Sequence, residues 1–372
     1  MDPTKQFCHN PECSARGQRG QGNIGVVSQK EQRYACTTCG QSFAATKGTP
    51  FYRLRTPAET VTLVLTLLCH GCPLQAIVAA FGFDERTVAD WQARAGQHGK
   101  AVHERIVAAG QVDVHHVQAD EIWVKMVGKR VWLAMGLAVP SRLWLGGVIS
   151  VHRDHVLITH LVQMIRRCAR SPAVLVGVDG LASYVSAFVR VFRTPVHTGR
   201  RGRPRLIPEK GLLIGQVVEH YARRHVVSVT RRVVQGTPEA IAAMLATTGG
   251  GTGINTAYIE RLNATFRSCL VPLVRRGRAL AHKEAGLTAA IYLVGCAYNF
   301  SWTHASLRQL AGPTSRRRWQ ERTPAMAAGL TDHCWTMSEV LSYQIPLSPW
   351  VPPKRRGRPP KRTTPHLSAV AA

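Results

Sequence analysis

The chain has 372 residues, 45% of them hydrophobic, which is the composition of a globular protein with two or three domains and confines any disorder to local stretches. Its 48 Lys and Arg against 21 Asp and Glu leave a net charge of +27, beyond what solubility needs, so a polyanionic partner is expected, nucleic acid ahead of an anionic membrane surface. No apolar run reaches the roughly 18 residues of a membrane span, and the polar N-terminus lacks the apolar core of a signal peptide; a cytoplasmic protein is expected, its ten cysteines serving as metal ligands or core residues in place of disulfides.

Residues 1–50 read as a zinc-ribbon-like domain. Cys8-x4-Cys13, a 22-residue interval, and Cys36-x2-Cys39 followed by Gly40 fit a structural Zn²⁺ held by four thiolates, each pair on a tight turn. So small a domain, with few large apolar side chains, needs such a staple. The first pair is widely spaced, and His9 is an alternative ligand; four unrelated buried cysteines are the bland alternative. The strand-like flanks of the second pair, Arg33-Tyr34-Ala35 and Ser42-Phe43, favour the metal.

Residues 51–98 read as a helix-turn-helix domain. Thr56, Pro57 and Glu59 spell an N-cap, a first helical residue and a capping box for a helix running to Leu68. Pro73 opens a short helix with Leu74, Ile77, Val78 and Phe81 on one face. Gly82-Phe83 turns the chain, and Asp84 caps a helix that buries Val88, Trp91 and Ala95. This is the helix-turn-helix pattern, in which Arg86, Thr87, Asp90, Gln92 and Arg94 would face a DNA major groove; an ordinary helical hairpin fits the pattern alone equally well. Cys69 and Cys72 read as small residues at helix ends, since no second pair lies nearby.

A helical linker over 99–112 leads to a change from helical to strand periodicity. Strands are expected at 115–126, 130–139 and 143–151, joined by short turns and therefore antiparallel. The first contains Val117-Gln-Ala-Asp-Glu-Ile-Trp123, in which Asp120 and Glu121 sit among apolar neighbours and an unpaired buried carboxylate is unfavourable by several kcal/mol. A metal ion is a candidate partner. Side chains alternate along a strand, so one of the two acids is expected at a site, Asp120, with Glu121 pointing the other way.

A helix over 156–168 then crosses to a buried strand over 173–178 that ends at Asp179-Gly180, and ligands bind outside the carboxyl ends of such parallel strands. A helix at 182–191 follows, then an irregular basic stretch, Gly199-Arg-Arg-Gly-Arg-Pro-Arg205, whose pattern returns in the tail as Lys354-Arg-Arg-Gly-Arg-Pro-Pro-Lys361. Both resemble the AT-hook, an extended peptide that sends Arg201 and Arg203, or Arg356 and Arg358, into the negative minor groove of A·T-rich DNA; solvated basic loops are the alternative. Residues 212–235 are expected to add a helix and a strand over 225–230. Read as a helix, residues 255–269 put Ile259, Leu262, Phe266 and Cys269 on a buried seam and Glu260, Asn263 and Arg267 on an adjacent polar face, suited to a metal-bound phosphate or simply to solvent. Residues 306–348 are expected to form a C-terminal extension and 349–372 a disordered basic tail with the second AT-hook-like motif.

The D-E-x-W strand at Asp120, the D-G-x-x-S-Y turn at Asp179 to Tyr184, the I-E-R-x-N helix at Ile259 to Asn263, and later Tyr298-Asn-Phe300 with His304 and Leu307, follow one another in an order that resembles bacterial insertion-sequence transposases of the zinc-ribbon type, the insertion element one-like group. The resemblance covers nearly the whole chain. It departs from the family at the wide Cys8, Cys13 pair and the arginine-rich stretch 199–205. It implies an α/β ribonuclease-H-like catalytic domain over 113–305 in which Asp120, Asp179 and Glu260 form a DDE triad. Such a triad holds two Mg²⁺ or Mn²⁺ ions, which activate a nucleophilic oxygen and stabilise the leaving one at phosphorus. It implies DNA cleavage by water followed by joining of the freed 3′-OH to target DNA, and a homo-oligomer on the DNA; from their face of the helix, Arg261, Asn263 and Arg267 are expected to steady the phosphate backbone. A sequence-specific regulator with structural carboxylates and a purely hydrolytic nuclease are the competing readings.

Overall fold

In the computed structural model, which describes residues 1–197, 199, 202–223, 225–274, 280–312 and 317–352, the chain divides into two units, Met1–Lys47 with Pro346–Ala372, and Gly48–Ile345. In the smaller unit, β1 (Ile24–Ser28), β2 (Arg33–Cys36) and β3 (Ser42–Ala44) form an antiparallel sheet with Ile24 opposite Cys36 and Tyr34 opposite Phe43. Its small core is Ile24, Tyr34 and Phe43 against Cys8, Cys13 and Cys36.

The larger unit opens with α1 (Ala58–Cys69), α2 (Leu74–Phe81) and α3 (Glu85–Ile106). The capping box expected at Thr56 and Glu59 does not form: Pro57, with an extended ψ of 141°, is itself the cap residue and lies outside the helix. Asp84 does cap α3, accepting from the Arg86 N–H at 2.8 Å, and Gly82 takes the left-handed φ of 69° that closes α2.

A six-stranded mixed sheet follows. β4 (His116–Met126), β5 (Lys129–Ala138) and β6 (Leu143–Ser150) pair as antiparallel hairpins, and α4 (His155–Cys168) then crosses to β7 (Val174–Asp179), which lies parallel to β4. After α5 (Ala182–Val191), the short ribbon β8 (Arg193–Val196) with β9 (Arg205–Pro208) precedes β10 (Leu212–Ala222), parallel to β7, and β11 (His225–Gln235), antiparallel on the edge. The order is β11-β10-β7-β4-β5-β6. The helix expected near residue 212 is therefore strand β10. Its buried half, Leu212 to Gln216, sits between two strands with both faces covered, and such a run loses the alternation that marks a strand.

Helices α6 (Pro238–Thr248), α7 (Ala257–Cys269) and α8 (Glu284–Cys296) come next, with the short α9 (Pro324–Ala327) and α10 (Met337–Ser342) near the end. β4 feeds two cores: Val117 and Ala119 face Leu161 and Ile165 of α4 and Phe188 of α5, while Ile122 and Val124 face Ile259, Leu262 and Phe266 of α7. Helix α8 is buried along nearly its whole length because it lies between this second face and α3. At Gly96 on α3 a Cβ would come within 2.1 Å of the Ala289 carbonyl oxygen, so the missing side chain is what lets the two helices touch. This contact explains why α3 runs on through residues 99–106, expected as a linker: its second half has a packing partner. Asn299, fully buried just after α8, clamps Trp144 of β6 by donating to its carbonyl and accepting from its N–H, both at 2.9 Å. Among the described residues no helix is long and apolar enough to cross a membrane.

Candidate functional site

The β4/β7 ladder runs through His116↔Leu175, Val117↔Val176 and Gln118↔Gly177 and then stops, whereas β7 stays paired with β10 as far as Asp179. Two residues beyond the last pair are Asp120 and Asp179, which the register sets on the same face of two strands that have begun to separate. Helix α7 covers that face. Its position is fixed by Gln118, whose Oε1 accepts from the N–H groups of Tyr258 and Ile259, both at 3.0 Å, and whose Nε2 donates to the Asn255 carbonyl at 2.7 Å. The free N–H groups of a helix start are thus tied to the strand that carries Asp120. Gln216 does the same for β7, donating to the Asp179 carbonyl at 3.0 Å.

Asp120, Glu121, Asp179, Glu260, Asn263 and Arg267 share one cleft of about 770 Å³. Carboxylate oxygens of Asp120, Glu121 and Asp179 lie within 4.8 Å of one another; among the described residues Glu260 is not part of that closest group. Glu260 lies on the exposed wall and accepts from the Thr256 hydroxyl at 2.6 Å. The expectation that Glu121 points away from the other acids is corrected. Glu121 does belong to the opposite face of β4, the side of α5, but the ladder has ended there and no strand separates the faces. Its fully buried carboxylate accepts from the Tyr184 hydroxyl at 2.6 Å on Oε2 and from Arg153 on Oε1, and the Arg153 guanidinium also reaches Asp179 at 3.4 Å.

Asp120 accepts from the Glu121 N–H at 2.8 Å and from Asn263 Nδ2 at 2.7 Å. Burial first, then the negative charge of Glu121, raises its carboxyl to about 7; Asp179 and Glu260 push the same way. Burial also raises Asp179. The side-chain oxygen of Asn263 is buried and has no hydrogen-bond partner among the described residues. Oxygen donors of this hard kind, with excess negative charge and an unsatisfied carbonyl oxygen beside them, fit a divalent cation such as Mg²⁺ or Mn²⁺.

Arg261 does not join them. It follows Glu260 in sequence, about 100° further round the helix, and enters a neighbouring cavity with Tyr258 and Arg142. Arg86 and Thr87 are exposed at the start of α3 and Gln92 is partly so, whereas Arg94 pairs with Asp90 at 2.7 Å and donates to the Tyr52 carbonyl at 3.3 Å. Arg203 is exposed between β8 and β9; Arg201, Arg356 and Arg358 lie outside the described residues. Gln118, Gln216 and Arg153 are the site residues that sequence reasoning missed, and Tyr184 enters it only as the end of the D-G-x-x-S-Y turn, without a role. The one signal for Gln118 was a polar residue in an apolar strand, two before Asp120 and hence on its face.

In the smaller unit, sulfur atoms of Cys8, Cys13, Cys36 and Cys39 all lie within 4.8 Å of one another, with Cys8 to Cys39 at 3.7 Å and Cys13 to Cys36 at 3.8 Å. His9, the alternative ligand, instead packs its ring on Phe7 and Phe43. The Asn10 N–H points at the Cys8 sulfur at 3.4 Å; without a metal, burial pushes the Cys8 and Cys13 thiols up, while the Gln41 backbone amide brings Cys39 down to about 7. Four converging thiols fit a tetrahedral zinc ion, which binds the deprotonated form.

No protein-family model matches the chain, and no curated protein matches it.

Proposed function

We propose that the larger unit is a ribonuclease-H-like catalytic domain and that the chain is a DDE-type transposase, which cuts DNA at the ends of an insertion element and joins the freed 3′-OH to target DNA. The observation that carries this reading is the β4/β7 register that sets Asp120 beside Asp179, with α7 tied to β4 through Gln118 so that Glu260 and Asn263 face the same cleft. The strand sequence β6-β5-β4-β7-β10, three antiparallel followed by two parallel, supports the fold.

Asp120, Asp179 and Glu260 would hold divalent cations, which when bound polarise phosphorus oxygens and lower the pKa of an attacking water. The chain's own groups position the reactants. Asn263 orients Asp120, Tyr184 holds Glu121, Glu121 in turn anchors Arg153, and Arg153 and Arg267 supply positive charge for a phosphodiester. Phosphoryl transfer of this type asks for charge and alignment and needs no covalent enzyme nucleophile. Exposed Arg86 and Thr87 on a capped α3, and the four-cysteine cluster, support recognition of the element ends by residues 8–96.

The test is cleavage of a duplex carrying the inverted repeats that flank the gene, with Mg²⁺, by wild type and by Asp120→Asn, Asp179→Asn and Glu260→Gln. Cleavage by wild type, lost in each variant with binding retained, is the expected result; full activity in any variant overturns the assignment. Joined products separate a transposase from a hydrolytic nuclease.

A further inference from the structure

One cavity lies outside the carboxylate cleft yet shares a wall with it. It encloses about 470 Å³ between the β5/β6 turn, α7 and the segment after α8, and its lining includes Arg142, Arg261, His304, Tyr258, Tyr298 and Leu137. Among the described residues that line it there is no carboxylate. Two guanidinium groups thus converge without an acid between them, and His304 is held below its usual pKa by burial and by both arginines.

Arg142 is built into place. Its backbone is left-handed, φ 58°, an unfavourable conformation for a residue with a side chain. The Tyr298 hydroxyl donates to its carbonyl at 3.0 Å, its guanidinium donates to the Val139 carbonyl, and its side chain lies over the Tyr258 ring at 3.9 Å. A merely solvated surface arginine needs none of these restraints. The rest of the wall is mostly apolar, and the volume suits one small organic group with a charged end.

Glu260 and Arg261 are consecutive on α7 and open into the two different cavities, so the two sites flank one helix within a nucleotide or two of each other. We propose that the cavity is a nucleotide subsite, which takes a phosphodiester of the bound DNA strand on Arg142 and Arg261 and the attached nucleoside against Leu137 and Tyr298. A cationic groove with aromatic walls is how proteins hold single strands without reading sequence. The inference rests on the reading that the neighbouring cleft works on DNA.

Its test uses the full zinc-loaded chain, with no Mg²⁺ or Mn²⁺ added, and a mixed-sequence single-stranded deoxyoligonucleotide of ten residues, so that no cleavage is needed. Ser306→Cys puts a thiol on the exposed rim, and its alkylation by iodoacetamide is followed at peptide level. The oligonucleotide should slow alkylation at position 306, and this protection should be lost in Arg261→Gln and in Arg142→Gln, with the salt slope of binding falling by about 0.7 for each phosphate contact removed. Arg261 is exposed, so its variant reports even if the Arg142 variant fails to fold. Unchanged alkylation at 306 with the oligonucleotide bound, or full protection in Arg261→Gln, overturns the subsite. Protection in a wild-type chain that never cleaves with Mg²⁺ instead refutes the catalytic reading and leaves the subsite standing.

Discussion

Glu121 and Arg153 form an ion pair in which the anion alone is buried: the Glu121 side chain is 0% exposed and that of Arg153 39%. The asymmetry decides which partner the fold can lose. In Glu121→Gln the guanidinium turns to water, whereas Arg153→Gln leaves a buried carboxylate with only the Tyr184 hydroxyl. Loss of one partner from a buried pair costs about 3 kcal/mol or more, and the exposed partner much less. Urea unfolding at pH 7 should therefore rank Arg153→Gln as clearly the less stable, and the reverse order would refute the assignment. Because Arg153 also reaches Asp179, its removal should tighten Mn²⁺ binding in calorimetry.

The raised carboxyl of Asp120 makes the metal-free chain sensitive to pH. Its folded value of about 7 stands above the ordinary 3.8, so between those values the folded chain holds a proton that the unfolded chain releases. Stability is present below about pH 4 and is lost as pH rises to about 7. Asp120→Asn keeps an acceptor for the Glu121 N–H and carries no charge. In EDTA at pH 8 it should melt higher than wild type, by about 2 °C or more for each kcal/mol regained, with no difference near pH 4. Saturating Mn²⁺ should reverse the order, since a cation bound to the folded state stabilises wild type. Equal melting at pH 8 without metal would remove the electrostatic argument.

The four-cysteine cluster gives the simplest measurement. Purified chain should carry one zinc, and Co²⁺ in its place should give the absorption of a tetrahedral thiolate site. Cys36→Ser should abolish both and open residues 1–47 to trypsin, because the apolar core there is little more than Ile24, Tyr34 and Phe43. Binding should weaken as pH falls, since each sulfur must lose its proton. A metal-free chain with protease-resistant residues 1–47 would show that the cysteines are core residues only.

Periodicity carried the sequence reading where the structure is local. The three hairpin strands, the crossover to Asp179 and the apolar seam of α7 all follow from spacing within one element. It failed where a distant partner decides. Glu121 lies on the opposite face of β4 from Asp120, as alternation requires, but the faces meet because the β7 ladder ends at Gln118, and the point where a ladder ends is set by another strand. Strand β10 looked helical because two neighbouring strands bury it. Residues 99–106 are helical, as expected of the linker, but their continuation of α3 as a packed element depends on α8, nearly two hundred residues later.

Gln118 is the sharpest case of a long-range partner, and it yields the most specific prediction. Its side chain joins β4 to a helix 139 residues further along, accepting from two N–H groups that α7 cannot satisfy internally. Gln118→Leu keeps the volume and removes every bond. The Tyr258 and Ile259 amides would then be buried without partners, at about 1 to 3 kcal/mol, and the first turn of α7, which carries Glu260, would be released from the strand that carries Asp120. Hydrogen exchange at those two amides should accelerate in Gln118→Leu while amides later in α7 keep their protection. Cleavage should fall by more than DNA binding, because the groups that move are those of the cleft. Gln118→Glu retains the acceptor and should restore slow exchange at both amides; a merely space-filling role for residue 118 predicts that Leu and Glu behave in the opposite order.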